Sequence, residues 1–276
     1  NVADRSETRV EAMRFSDPGP DCMFGDDGSC WKHYDIGMVQ IFSVKVGSLP
    51  ADAGSVELYG YIAARDQRDP FRNYVVNISR DDPIVVEEGS LVDMAGPKQG
   101  IQLMDNTLIE YDMRIKTGEQ EQDDLQMLDG ASILSFIGPW NYPFKLDTPG
   151  DYGTIDIILS PIRWAVEATV KVHILEVQSS FRLSLICLTS GIDEQIVLFD
   201  DIISESHDLK RSLVAVRSRS FVDLKFNIGA PSSCPDQHCC SFKAEWHGHI
   251  IQKIRTCFAL ILVNVSWSTL PPYFDG

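Results

Sequence analysis

The chain is poor in positive charge: 24 Lys and Arg stand against 40 Asp and Glu in 276 residues, a formal net charge of −16. Neutralising phosphates takes Lys and Arg, so this balance argues against direct nucleic-acid binding and against anionic membrane surfaces. Long apolar runs are missing as well. The longest, residues 257–263, falls far short of the roughly 20 residues that a membrane-spanning helix needs. Seven cysteines at 22, 30, 187, 234, 239, 240 and 257 are odd in number and unevenly spread. They do not read as a disulfide framework, and a chain of this length buries about three quarters of its unfolded surface without staples. The polar opening from Asn1 carries no signal-peptide pattern, so a soluble, cytoplasmic protein is expected. The sequons at Asn77 and Asn264 both fall inside apparent strands and read as chance.

Recognisable catalytic motifs are also lacking. There is no nucleophile elbow, phosphate-cradling glycine loop, dinucleotide fingerprint or His-Glu-x-x-His. A non-catalytic protein without a cofactor is the expectation. A hydrolase with an unrecognised site is the minority alternative, which predicts a deep pocket holding perturbed titratable groups.

What the sequence does have is period-two alternation, rich in β-branched residues and punctuated by Gly, Pro, Asp and Asn. A first series of strands is predicted at 38–49, 55–64, 72–79, 98–104, 107–116, 131–137 and 153–162. A second follows at 165–177, 180–190, 194–201, 211–218, 220–228, 240–248 and 256–268. Only residues 3–15 could form a helix, and its apolar face is poor. Segments 16–37, 117–130 and 229–239 read as irregular, the first two of them acidic.

The two series match in order: Ser43–Val46 with Thr169–Val172, Ser55–Leu58 with Ser180–Leu183, Thr107–Ile115 with Ser220–Ile228, and Ser160–Arg163 with Gln252–Arg255. Alternation alone makes strands resemble one another, but the shared order favours an internal repeat. The predicted fold is therefore all-β: two similar antiparallel β-sandwich halves, 38–162 and 163–276, docked together behind an irregular acidic arm, 1–37.

The runs Gln40–Val46, Leu58–Asp66, Arg72–Val75 with Arg80–Pro83, Ala95–Ile101, Tyr111–Lys116, Val166–Val170 and Ile196–Asp200 resemble, in this order, an uncharacterised domain expanded in grasses. The similarity covers roughly residues 36–270. That domain occurs alone or behind a ribosome-inactivating N-glycosidase domain in jasmonate-induced proteins, and its own activity is not established. The resemblance implies a plant stress or defence setting and supplies no mechanism. Glu11-Ala-Met-Arg-Phe15 copies the spacing of the N-glycosidase catalytic pair, but the upstream tyrosine region is missing and Pro18 and Pro20 would cut the helix short.

Three groups of residues are candidate sites. Cys234, Cys239 and Cys240 followed by His247 and His249 have partial zinc-knuckle spacing, yet no second knuckle accompanies them, and core cysteines beside an exposed turn are the simpler reading. Cys22 and Cys30 could close a small loop in an oxidising compartment. Asp66, Asp69, Asp81 and Asp82 could gather around calcium, but Arg65, Arg68, Arg72 and Arg80 interleave with them, which favours charge-paired loop tips. That end, with Arg65, Asp66, Arg72, Asn73, Asp81 and Asp82, is the first choice for a partner-binding edge. The expected function is a non-catalytic protein-binding β module. Its partner is expected to be a basic protein, with a regulatory role toward a ribosome-inactivating enzyme as the alternative.

Overall fold

The computed structural model describes residues 26, 33–51, 53–67, 71–230 and 236–270. The chain divides into two compact units. Val39–Pro161 forms the first, and Ile162–Gly276 with the residues leading to Met38 forms the second. Both are built from antiparallel strands, and among the described residues no helix is long and apolar enough to cross a membrane.

The first unit contains β1 (Ile36–Ser48), β2 (Ser55–Arg65), β3 (Asn73–Ile78), β4 (Ile84–Glu87), β5 (Ile101–Gln102), β6 (Asn106–Lys116), β7 (Leu125–Ser135), β8 (Phe144–Gly150) and the first part of β9 (Gly153–Leu175). One sheet runs β3-β2-β6-β7, with β4 also on β2. The other runs β8-β9-β1-β5. Alternation explains the core. In β6, Thr107, Ile109, Tyr111, Met113 and Ile115 are buried while Leu108, Asp112 and Arg114 are half-buried. Ile109, Tyr111, Met113 and Ile115 meet Leu58, Ile62, Val75, Val76, Ile155 and Ile157 in one cluster. Each such side chain taken fully out of water contributes roughly 1.5–3 kcal/mol.

The second unit contains the rest of β9, β10 (Phe181–Thr189), β11 (Ile192–Ile203), β12 (His207–Asp208), β13 (Ser212–Arg217), β14 (Phe221–Gly229), β15 (Asp236–Lys243), β16 (Gly248–Arg255) and β17 (Leu260–Ser268). Its sheets run β11-β10-β14-β15 and β16-β17-β9-β13, with β12 also on β9. Gly191, at φ +84 in the turn between β10 and β11, takes the left-handed conformation that a side chain resists.

The two units share one strand order, with β1, β2, β3, β5, β6, β7 and β8 standing where β9, β10, β11, β13, β14, β15 and β16 stand. The central register is shared too. Leu58 faces Ile115 across β2 and β6, and Leu183 faces Ile228 across β10 and β14. Those are the residues that the second and third sequence matches align. The fourth match does not fit this correspondence: Ser160–Arg163 lies in β9, whose first part is the counterpart of β17, whereas Gln252–Arg255 lies in β16.

Several predicted boundaries change. β7 starts at Leu125, inside the segment expected to be irregular, because Leu125 and Leu128 pair opposite Ile115 and Met113 across a register shift. The strand expected at 98–104 shortens to β5, next to Pro97 and Gly100, which weaken a ladder. β4, β8 and β16 were not anticipated. Segments 153–162 and 165–177 form one strand, with Arg163 and Trp164 both exposed where alternation would bury one of them.

Candidate functional site

The outward face of β3, β2 and β6 in the first unit forms a concavity of about 740 Å³. Register sets its floor. Asn77, Tyr61 and Asp112 stand in one cross-strand row, and Tyr59 stands opposite Arg114 in another. Arg72, Tyr74, Arg80, Asp81 and Glu121 complete the lining. Gly60, between the two tyrosines, has φ +123, and a Cβ there would lie 2.1 Å from the Asp112 carbonyl oxygen. Only glycine lets β2 approach β6 this closely.

Two buried carboxylates hold the floor arginines. Glu110 accepts hydrogen bonds from Arg65 Nε at 2.7 Å and from Arg72 Nε at 3.2 Å. Arg72 is 1 % exposed, and its guanidinium lies 4.3 Å from the centre of the Tyr61 ring, a cation–π contact. Tyr74 meets Tyr61 edge-on with ring centres 5.7 Å apart. On the other side, Asp124 accepts from Arg80 Nε at 2.6 Å and from Tyr59 Oη at 2.8 Å. It also takes the Thr117 and Gly118 backbone N–H groups at 3.0 and 3.4 Å. Arg80 further donates to the Gly118 and Glu119 carbonyls. Arg114 pairs with Asp112 at 3.3 Å and Glu121 at 3.5 Å.

This wiring fixes charge. The Arg80 hydrogen bond, with those of the backbone and Tyr59, outweighs burial and holds the Asp124 carboxyl well below the usual carboxylate range. Burial, reinforced by the Asp124 carboxylate, pushes the Tyr59 phenol up to about 12. Burial also takes Tyr61 to about 12, with Glu110 and Asp112 assisting and Arg72 opposing. At neutral pH the floor presents neutral phenols and paired guanidinium groups. That is a hydrogen-bonding surface, without a proton donor or acceptor poised near 7 among these groups.

The residues singled out from sequence divide between structural ties and the site. Arg65 and Arg72 are joined through Glu110. Asp66 accepts the Gln102 N–H at 2.7 Å, and Asn73 bonds the Gln99 carbonyl and the Lys98 N–H, each at 2.8 Å, so both tie the β5 region to β2 and β3. Asp81 and Asp82 are exposed after β3, and Asp81 lines the concavity. Arg68 and Asp69 lie outside the described residues. So do Cys22, Cys30, Cys234, the segment 11–15 and the helix expected at 3–15.

The remaining zinc candidates do not meet one another. Cys239 is exposed and Cys240 buried, as adjacent residues of one strand must be, and burial raises the Cys240 thiol. The His247 ring lies 5.1 Å from that of His33, while His249 faces Ser266 across β16 and β17. Among the described residues no three His, Cys, Asp or Glu groups are placed to hold a metal ion. Sequence reasoning missed Tyr59, Tyr61, Tyr74, Asp112, Arg114 and Asp124. Alternation places Tyr59, Tyr61, Asp112 and Arg114 on outward positions, and a register shift between β2 and β3 brings Tyr74 to the same face, so only the register unites them.

Comparison with known proteins yields little about activity. No curated protein matches. Two solved structures share 8 % identity with this chain. The human GIVD cytosolic phospholipase A2 aligns over 86 % of this chain and 31 % of its own at a TM-score of 0.28. The calcium-bound pair of C2 domains from extended-synaptotagmin 2 aligns over 87 % of this chain and 98 % of its own at 0.29. The chain thus spans about a third of the phospholipase, and scores of this size bear on neither the activity nor the ligand of this chain. One family model covers residues 38–265, both units together, and on that match the chain belongs to the DUF6598 family, a domain of unknown function.

Proposed function

We propose that this protein is a non-catalytic protein-binding module whose first unit captures a basic segment of a partner in the Tyr/Arg concavity. One observation carries the reading: the floor cations are already neutralised by Glu110, Asp124 and Asp112, while the carboxylates at the rim stay open to solvent. Asp81 and Glu121 line the concavity and are exposed, Glu121 while paired with Arg114, and Asp82, Glu119 and Asp123 are their exposed neighbours in sequence. A Lys- or Arg-rich segment meets complementary charge there, with phenol and amide groups beneath it. The net charge of −16 steers the same class of partner over longer range.

The resemblance to the grass-expanded domain makes plant stress or defence the biological setting and a basic ribosome-inactivating domain the second partner to examine. Exposed free thiols at Cys239 and Cys257 fit a reducing, cytoplasmic compartment. We also infer that the units descend from one by internal duplication, which the shared strand order and the Leu58/Leu183 register support.

The test is fluorescence anisotropy with a labelled Arg/Lys decapeptide and the full chain. Binding is expected to weaken at least tenfold between roughly 50 and 200 mM salt, as a contact made by several charges does. Joint replacement Asp81→Asn, Asp82→Asn and Glu121→Gln is expected to weaken it comparably. Binding indifferent to both salt and these three residues contradicts the reading.

A further inference from the structure

The second unit carries a concavity of a different kind. It measures about 730 Å³ and gathers Trp164, Trp246, Arg217, Arg219 and Asp35. A smaller hollow of about 310 Å³ adjoins it at Arg219 and Trp246 and reaches Lys243. Five separate segments supply these residues: the approach to β1 at Asp35, β9 at Trp164, the β10–β11 turn at Ser190 and Gly191, the β13–β14 turn, and the link between β15 and β16.

Three features set this end apart. The first is strain. Among the described residues four non-glycine residues have positive φ, and two of them, Trp164 at 53° and Arg219 at 60°, line this concavity. A bulky residue in that conformation is an outlier that its surroundings must enforce. Here the Ser218 N–H donates to the Trp164 carbonyl at 2.7 Å, and the Ser218 hydroxyl donates to Asp35. The second is exposure. Trp164 is 49 % exposed, and the Arg163 guanidinium stands 4.7 Å from the ring centre, so the indole is held in place without being buried. The third is charge. In a chain with a net charge of −16, the exposed Arg217 and Arg219 both line this concavity, with no ion-pair partner among the described residues.

We propose that this concavity is a binding site for a small phosphate ester carrying a planar ring, a mononucleotide being the simplest member of that class. Arg217 and Arg219 supply planar forks of N–H donors suited to phosphate oxygens, and Trp164 supplies a preset indole surface for the ring. The left-handed bend at Trp164 turns the indole outward instead of into the core. The site belongs wholly to the second unit and stands independently of the basic-segment surface on the first.

Calorimetry and indole fluorescence on the full chain, with ADP, inorganic phosphate and adenosine as separate probes, test the proposal. ADP is expected to bind saturably and quench the indole signal, with inorganic phosphate at least tenfold weaker and adenosine weaker still. Arg217→Gln with Arg219→Gln is expected to reduce ADP affinity at least tenfold. Asparagine tolerates the left-handed conformation, so Trp164→Asn is expected to abolish the ring's contribution, bringing ADP down to the affinity of inorganic phosphate, while thermal unfolding stays close to that of the parent. A Trp164→Asn chain that unfolds much earlier and still binds ADP as tightly would show that the residue is structural and overturn the assignment. No saturable binding of ADP, binding unaffected by either variant, or equal affinity for ADP and inorganic phosphate would also overturn it. So would association with anionic phospholipid vesicles in the absence of ADP binding, which would make the Trp/Arg end a membrane contact.

Discussion

The outward faces of β2–β6 in the first unit and β10–β14 in the second descend the same ladder and present different chemistry. Positions aligned by sequence and register pair Tyr59 with Ser184, Tyr61 with Ile186, Glu110 with Asp223, Asp112 with Lys225 and Arg114 with Asn227. Inward positions keep their character: Leu58 and Leu183, Met113 and Phe226, Ile115 and Ile228 are all buried. Packing constrains one side of each strand, while the other side is free to be specialised. In the first unit that side forms a wired concavity. In the second, the concavity lies at the strand-connecting turns around Trp164.

Breaking the wiring should separate the two units most sharply at Glu110. Glu110→Gln removes the counter-charge of a buried Arg72 and is expected to cost about 3 kcal/mol, whereas its counterpart Asp223→Asn, half-buried, is expected to stay under about 1 kcal/mol. Urea unfolding of both variants makes the comparison. Gly60→Ala comes next, at about 2 kcal/mol, since a Cβ at φ +123 meets the β6 backbone. The counterpart Leu185 already fills a buried position, and Leu185→Ile there is expected to cost less than about 1.5 kcal/mol.

Titration sharpens the same contrast, because the strongly shifted acid and phenols lie in the first unit. Asp124 is more acidic folded than unfolded. Its contribution to stability is complete above the unfolded carboxylate value of about 4 and is lost progressively as pH falls toward its lower folded value. Asp124→Asn should therefore lose less stability than the parent between about pH 5 and about pH 2.5. Tyr59 and Tyr61 run the other way. Their folded values of about 12 exceed the unfolded value of about 10, so their contribution is complete below pH 10 and drains away between about pH 10 and 12. In phenolate absorbance Tyr59 and Tyr61 should give a late step near pH 12, and Tyr59→Phe with Tyr61→Phe should remove it. The smallest effect is expected at Lys225→Ala, exposed on β14, within about 0.5 kcal/mol.

The strands most legible in the sequence were those with clean alternation over nine or more residues, such as Asn106–Lys116 and Phe221–Gly229. Short or irregular ones escaped. Ile84–Glu87 has four residues, and Phe144–Gly150 includes Asp147, Thr148, Pro149 and Gly150, which read as a turn. The ordered sequence matches arise because core positions recur, and the fourth does not fit the shared strand order because Ile162 and Ile254 lie in strands that do not correspond. Half of the Arg/Asp run between 65 and 82 forms ties within the unit: Arg65, Asp66 and Arg72 bind groups on β6 and β5, and Arg80 binds Asp124, each more than 30 residues away in sequence. The concavity itself could not be read from the linear sequence. Tyr61, Asn77 and Asp112 look like unrelated polar interruptions until two registers set them in one row.

The central claim is that the basic partner docks on the first unit and not on its counterpart face. Hydrogen exchange of the full chain with and without the Arg/Lys decapeptide tests it most directly. Slowed exchange is predicted at 59–61, 77–81, 112–114 and 119–124, with residues 182–188 and 223–227 unchanged. Protection confined to the second unit, or spread equally over both faces, would contradict the account.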